Sequence, residues 1–210
     1  MKKFDIITEA DARVLARGET VMLSPRGHVT PLAADTLRDR RIVVVRDGVA
    51  DDPSLAPAAE VKSIAIASDH TGIGLRRALV AFLRGRGLAV NDLGTDGTDA
   101  VDYPDTAASV GDLVARREAD AGIVIDGAGI GSAIAANKIA GVRAALCTNE
   151  TLARYSREHN GANVLALGAT LVSIDEAKAI VSTWLAASMR EPRYIRRLAK
   201  IRALEDRNKA

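Results

Sequence analysis

Asp126 ends the apolar run Ile123-Val124-Ile125 and opens Gly127-Ala128-Gly129-Ile130-Gly131-Ser132. A greasy run closed by a carboxylate and broken by glycines reads as a buried strand, a tight turn and the start of a helix. Backbone N–H groups and a helix N-terminus then converge on one spot, which suits an anion such as a phosphate. A carboxylate beside that spot can move protons on whatever carries the phosphate. Two plainer roles stay open. The glycines can serve tight helix–sheet packing alone, and Asp126 can cap the helix that follows. The helix dipole would then lower its pKa and weaken it as a base, while burial would raise it.

Other residues able to do chemistry also stand at element ends. Ser68-Asp69-His70-Thr71 follows an apolar run. A histidine titrates near neutrality and an adjacent aspartate can orient it; equally, Asp69 or Thr71 can cap the next helix. Arg157-Glu158-His159-Asn160 closes a helical stretch, with Gly161 as its stop signal. His159 there is an acid–base group or a partner for the helix dipole. Cys147 reads as a small buried hydrophobe, His28 has no assigned role, and Arg76, Arg77, Arg84 and Arg86 read as a solvated helix face. The glycine spacing is G-x-G-x-G, on a third strand, with no acidic residue closing a strand about 20 positions later, which argues against a dinucleotide site.

The elements that must position these residues alternate. Strands are expected over 63–68, 89–93, 122–126, 142–146 and 163–167, and helices over 72–86, 104–118, 132–139, 150–158, 174–187 and 193–207. Strands that are continuously apolar have both faces covered. The β-α order then predicts a doubly wound, Rossmann-like parallel sheet in a three-layer αβα architecture, with ligands at the carboxyl ends of its strands. Ahead of it, residues 1–46 form a small α+β extension. Thr8 caps a helix over 9–17, Thr30 and Pro31 start a second over 31–40, and short strands run over 21–23 and 42–45. Residues 47–61, with two prolines and little periodicity, read as a linker to a domain spanning 62–210.

Composition narrows the partners. The chain has 210 residues, 48% apolar but only 3% aromatic, and a formal net charge of +2. Balanced charge and few aromatics argue against nucleic acid. No segment has the apolar length of a membrane helix or the apolar core of a signal peptide. A single cysteine gives neither an internal disulfide nor a metal cluster and fits a reducing, cytoplasmic setting.

Taken in order, Ile66-Ala67-Ser68-Asp69-His70-Thr71-Gly72, Val101-Asp102-Tyr103-Pro104-Asp105, Gly127-Ala128-Gly129-Ile130-Gly131, Ala135-Ala136-Asn137-Lys138, Val142-Arg143-Ala144-Ala145 and Arg157-Glu158-His159-Asn160-Gly161-Ala162-Asn163-Val164 resemble the ribose-5-phosphate isomerase B and galactose-6-phosphate isomerase family. The resemblance runs from about Lys62 to Ile201. It implies a homodimer or dimer of dimers with active sites across the subunit interface. It also implies interconversion of aldose and ketose phosphates through a cis-enediol, without metal or organic cofactor. Carried onto this sequence, His159 is the ring-opening acid/base and Asn160 a hydroxyl ligand. Asp69 and Tyr103 line the sugar site. Gly127, Gly129 and Gly131 offer backbone donors to the enediolate, and His70, Arg193 and Arg197 hold the phosphate.

The sequence departs from the family pattern at the base. Ribose-type members carry a catalytic Cys where this chain has Asp126, and a Thr where it has Ala128; a subgroup using a Glu in the loop finds no carboxylate here. Asp at this position resembles one subunit type of galactose-6-phosphate isomerase, which works with a partner. Three readings follow, in this order: Asp126 is the enolising base; the chain needs a paralogous subunit; the chain binds sugar phosphates without turnover. Glu191-Pro192-Arg193-Tyr194 also replaces the usual Gly-Gly-Arg-His. The segment from Ile6-Ile7-Thr8-Glu9 through Val29-Thr30-Pro31-Leu32-Ala33 to Arg41-Ile42-Val43-Val44 is similar to the start of ethanolamine-utilisation cobalamin adenosyltransferases, which implies a link to bacterial microcompartments but no cobalamin chemistry.

Overall fold

The computed structural model describes residues 2–46, 55–97, 99–189 and 191–207. It divides into two compact units, Met1–Asp51 and Asp52–Ala210.

The first unit is β1 (Lys3–Ile7), α1 (Glu9–Val14), β2 (Thr20–Val29), α2 (Pro31–Asp39) and β3 (Val43–Arg46), with three parallel strands in the order β1-β2-β3. Thr8 and Asp11 form a reciprocal capping box on α1, and Thr30 accepts from the Ala33 amide with Pro31 in the first turn of α2. Ile7, Ala12, Leu15, Val21, Leu23, Ala33, Leu37 and Ile42 are its core. Strand β1 escapes the sequence reading because Lys3-Phe4-Asp5-Ile6-Ile7 breaks its alternation: the register with β2 shifts between Phe4 and Ile6. Of the expected linker 47–61, residues 47–54 lie outside the described residues.

The second unit runs β4 (Ser63–Ser68), a single 3-10 turn (His70–Gly72), α3 (Ile73–Gly85), β5 (Ala89–Asp92), α4 (Tyr103–Ala115), β6 (Ala121–Asp126), α5 (Ile130–Ala136), β7 (Ala144–Leu146), α6 (Glu150–Asn160), β8 (Val164–Gly168), α7 (Ile174–Ala186) and α8 (Pro192–Arg207). Its five strands are parallel in the order β5-β4-β6-β8-β7. Side chains alternate by size as well as by side. Ile64, Ile66, Ile123, Ile125, Leu165 and Leu167 face Leu79, Leu83, Ile180 and Trp184 of α3 and α7. On the other side Ala65, Ala67, Val124, Val164 and Ala166 meet Ala107, Val110 and Val114 of α4 and Ala136 of α5. Small residues let α4 sit close: a Cβ on Gly122 would lie 2.6 Å from a Val110 methyl carbon.

One expectation about α3 is corrected. Arg76 does not join a solvated face: it is 1% exposed and donates to the Asp92 carboxylate, the Asp96 carboxylate and the Thr95 carbonyl. Three acceptors, one at the end of β5 and two in the loop after it, compensate burial of the guanidinium, and a Cβ on Gly94 would meet it at 2.0 Å. Half-buried Arg143 and buried Arg157 fix the start of this unit. Arg143 donates to the Leu55 carbonyl and Arg157 to the Ala58 carbonyl. Arg157 also lies over the Trp184 ring, and burial together with the Arg143 charge lowers its pKa to about 10.

Candidate active site

The glycine loop is built around the Asp126 carboxylate. Oδ1 accepts from the amides of Ala128 (2.8 Å) and Gly129, and Oδ2 accepts from the Ser132 amide at 2.7 Å. Asp126 thus caps α5, which begins two residues earlier than the sequence pattern predicts because Gly129 turns into it with φ +75°. A side chain at Gly129 would be strained by that angle and would strike Leu146 and the Leu167–Gly168 backbone at 2.6–3.0 Å. Burial pushes the Asp126 pKa up, but Ser132 and the amides of Gly129 and Ala128 outweigh it and hold the carboxyl below its usual value. The residue is 5% exposed, and both oxygens turn onto their own loop. The Gly129 N–H, expected to face substrate, faces Asp126 instead.

The other two glycines differ in what they leave open. At Gly131 a Cβ would lie 2.6 Å from the Tyr103 ring, so its absence lets Tyr103, 42% exposed at the start of α4, lie flat on the loop. At Gly127 a Cβ would meet only the Thr71 hydroxyl, at 3.7 Å. No packing demand explains that glycine; it keeps space open between the loop and Thr71.

Asp69 caps the turn after β4, as one of its two readings requires. Oδ1 accepts from the Thr71 amide (2.9 Å), the Thr71 hydroxyl (2.5 Å) and the Gly72 amide (3.3 Å). The next residue, His70, is exposed, and its Nδ1 accepts from the Val101 amide at 3.4 Å. An imidazole that accepts at Nδ1 carries its proton on Nε2, which leaves a donor for an anion. Ser68 Oγ and Ser132 Oγ, both buried, make no hydrogen bond of ordinary geometry. The described residues hold no His, Cys, Asp and Glu group able to bind a metal ion.

His159, Asn160, Arg193 and Arg197 gather at the opposite rim. Asp126 pairs with Gly168 at the carboxyl end of the sheet, while Val164 pairs with Gly122 at its amino end. Helix α6 descends between those ends and delivers His159 and Asn160 just before β8. Four residues of strand, about 13 Å, separate the two levels. At the lower rim His159 stacks on Tyr155 (centroids 4.7 Å apart) and on Tyr194 (4.8 Å). Arg193 and Arg197 lie over the Tyr194 ring at 4.8 and 5.4 Å, beside a cavity of about 410 Å³ lined by Glu158, His159, Glu191, Arg193 and Tyr194. One chain therefore brings Asp69, His70, Tyr103, Asp126 and the glycines together, and separately His159, Asn160, Arg193 and Arg197. It does not bring the two groups together. The aromatic stack was not foreseen. Tyr155 and His159 stand four apart in α6, a spacing that places them on one face, but Tyr194 carries no such signal.

Residues 64–201 match the family described as Ribose/Galactose Isomerase. The chain belongs to the ribose/galactose isomerase family. It is 44% identical over 147 residues to ribose-5-phosphate isomerase B of Escherichia coli, which covers 70% of this chain and 99% of the relative. Among solved structures it is similar to ribose-5-phosphate isomerase B of Clostridium thermocellum, with a TM-score of 0.68 and 49% identity over 70% of this chain and 99% of the other. It is likewise similar to the Mycoplasma genitalium ribose-5-phosphate isomerase B with bound ribulose-5-phosphate, with a TM-score of 0.67 and 42% identity over 69% and 96%. The residues matched by the family model, 64–201, all lie in the second unit.

Proposed function

We propose that the chain is a cofactor-independent aldose–ketose isomerase of a sugar phosphate, of the ribose 5-phosphate or galactose 6-phosphate type. The reading is carried by the loop at the end of β6: in a member of this family, an ionised carboxylate closes the strand and gathers amides beside the space that Gly127 keeps open. His159 opens the sugar ring and Asn160 holds a hydroxyl. Asp69 and Tyr103 line the sugar, and His70, Arg193 and Arg197 bind the phosphate, the arginines in bidentate fashion.

Asp126 takes the proton from C2 of the open aldose. The electron pair of that C–H bond forms C1=C2, and the C1 carbonyl oxygen becomes the enediolate oxyanion. As Asp126 gains the proton it becomes a poorer acceptor for the Ala128, Gly129 and Ser132 amides, and the same donors, with Gly127 and Gly131, turn to the new oxyanion. The C2 hydroxyl then gives its proton to the C1 oxyanion, and return of the carbon-bound proton from Asp126 to C1, with the C1=C2 pair, leaves the carbonyl at C2 and gives the ketose. Donors already aimed at the region where charge develops cost little reorganisation. Oδ2, which accepts one amide where Oδ1 accepts two, is the oxygen with capacity left for the proton.

The separation of the two residue groups supports active sites shared between two copies, in a homodimer or a dimer of dimers. In such a pair His159 and the arginines of one protomer meet Asp126 of its partner. We place the protein in the cytoplasm. The N-terminal unit, by its resemblance, is proposed to associate it with a microcompartment; deleting residues 1–50 is expected to change location and leave kinetics intact. The direct test is incubation with ribose 5-phosphate and a panel of four- to six-carbon aldose phosphates. Ketose formation is expected, and its absence from all of them with a folded protein overturns the assignment.

A further inference from the structure

The function assigns work to His159, Arg193 and Arg197 but leaves the two tyrosines among them unexplained. Tyr194 is in contact with all three. Its ring lies 4.8 Å from the His159 ring at an angle of 31°, and the guanidinium carbons of Arg193 and Arg197 lie 4.8 and 5.4 Å from its centroid. Its hydroxyl also accepts a hydrogen bond from Arg193 Nη2 at 3.1 Å. Tyr155 covers the other side of His159, nearly parallel at 17°, and carries Arg154 at 5.0 Å on its own ring. The imidazole is thereby held between two rings on an otherwise open rim, where a histidine on a helix end would swing about its side-chain bonds.

Arg193 needs such a guide. Its other partner is an exposed ion pair with Glu191 at 2.7 Å, and a phosphate that enters the cavity must draw the guanidinium from that carboxylate. Exposed pairs of this kind are weak. The Tyr194 ring stays under the guanidinium whether it faces Glu191 or phosphate, because cation–π attraction does not consume its N–H donors.

Resting on the isomerase reading, we propose that Tyr194 and Tyr155 are positioning residues. Tyr194 sets the phosphate arginines and the ring-opening histidine as one unit, and Tyr155 fixes the histidine alone. The roles differ in what each tyrosine touches, so the kinetics must differ. Aromatic and cation–π contacts of this size correspond to about a 2- to 12-fold effect each. Tyr194→Leu is expected to raise KM and lower kcat, each by about tenfold. Tyr155→Leu is expected to lower kcat by a similar factor and leave KM unchanged, since it touches neither phosphate arginine. Tyr194→Phe keeps the ring and is expected to recover kcat, with a small residual rise in KM from the lost Arg193 hydrogen bond.

A merely structural role predicts something else: lowered melting temperatures, unchanged kinetics per folded site, and no difference in pattern between the tyrosines. Kinetics within twofold of wild type for both leucine variants overturn the proposal, as does a Tyr155→Leu effect confined to KM. Wild-type turnover is measured first, so absence of activity counts against the isomerase reading and not against the clamp. The clamp then answers to NMR of the His159 ring protons. Ring-current shifts from two flanking tyrosines are expected in the wild type and are expected to diminish in each leucine variant. Unmoved resonances in both refute it without any substrate.

Discussion

Asp126→Asn and Asp126→Ala separate the two tasks of one carboxylate. In the wild type it accepts the Ala128, Gly129 and Ser132 amides and is 5% exposed. Asparagine keeps one oxygen, which can go on accepting from Ala128 and Gly129. Its NH₂ then faces the Ser132 N–H, donor against donor. Leaving one buried donor without a partner costs about 1–3 kcal/mol. At about 2–4 °C per kcal/mol for a chain of this length, the melting temperature falls by about 5 °C. Alanine removes the acceptor for all three amides; water repays part of the loss, and the net cost is about 3–4 kcal/mol, above the roughly 2 kcal/mol upper end for a single cap because three donors lose their partner. Asparagine has no basic oxygen, so kcat should drop by about 100- to 10,000-fold while the fold survives. Thermal unfolding and ketose formation, measured on the same preparations, read both. An alanine variant that melts with the wild type refutes the anchoring role. An asparagine variant with unchanged kcat removes Asp126 from proton transfer and gives the role of base to another group.

Mixing separately inactive Asp126→Asn and His159→Asn proteins under exchange conditions should restore about a quarter of wild-type activity, because random two-fold pairing leaves one intact site in half of the dimers. No recovery, with exchange demonstrated by mass, refutes the shared site. Gly129→Ala should destabilise strongly, by about 2 kcal/mol or more, through its φ of +75° and its contacts with Leu146 and Gly168. Gly127→Ala should melt normally yet raise KM, as its Cβ enters the open space; equal effects of the two glycines would sink that distinction. The folded-state pKa values of Asp126 and Asp120 lie below their usual carboxylate values: for Asp126 because Ser132 and loop amides outweigh burial, for Asp120 because the Lys62 and Ser63 amides and the Ser63 hydroxyl do. Their stabilisation is therefore present above the unfolded-state value, about 3.9, and is lost as pH falls through the lower folded values. Acid unfolding of Asp126→Asn should be shallower than that of the wild type.

The second unit was legible where the sequence was redundant. Continuous apolar runs could only be two-faced strands, and their polar ends marked the sheet's carboxyl rim, so Asp69, His70 and Asp126 were placed from pattern alone. Asp126 left two roles open, and the choice depended on where its oxygens point, which no spacing encodes. Arg76 was misread because a helical charge pattern does not reveal that a loop sixteen to twenty residues later folds back onto it with Asp92 and Asp96. His159 lies at the amino rim because α6 runs antiparallel to the strands. That follows from topology, and the spacing of residues along the chain does not display it. Strand β1 was hidden by its register shift, and Tyr194 by the absence of any periodic relation to α6.

Cys147 is 1% exposed, and burial raises its thiol pKa despite a contact with the Ser156 hydroxyl. With oxygen rather than sulfur at the end of β6 and the sole thiol protonated in the interior, the protein offers little to an alkylating agent or a peroxide. Its turnover should outlast exposure to iodoacetamide, a tolerance that a thiolate-dependent catalyst cannot share.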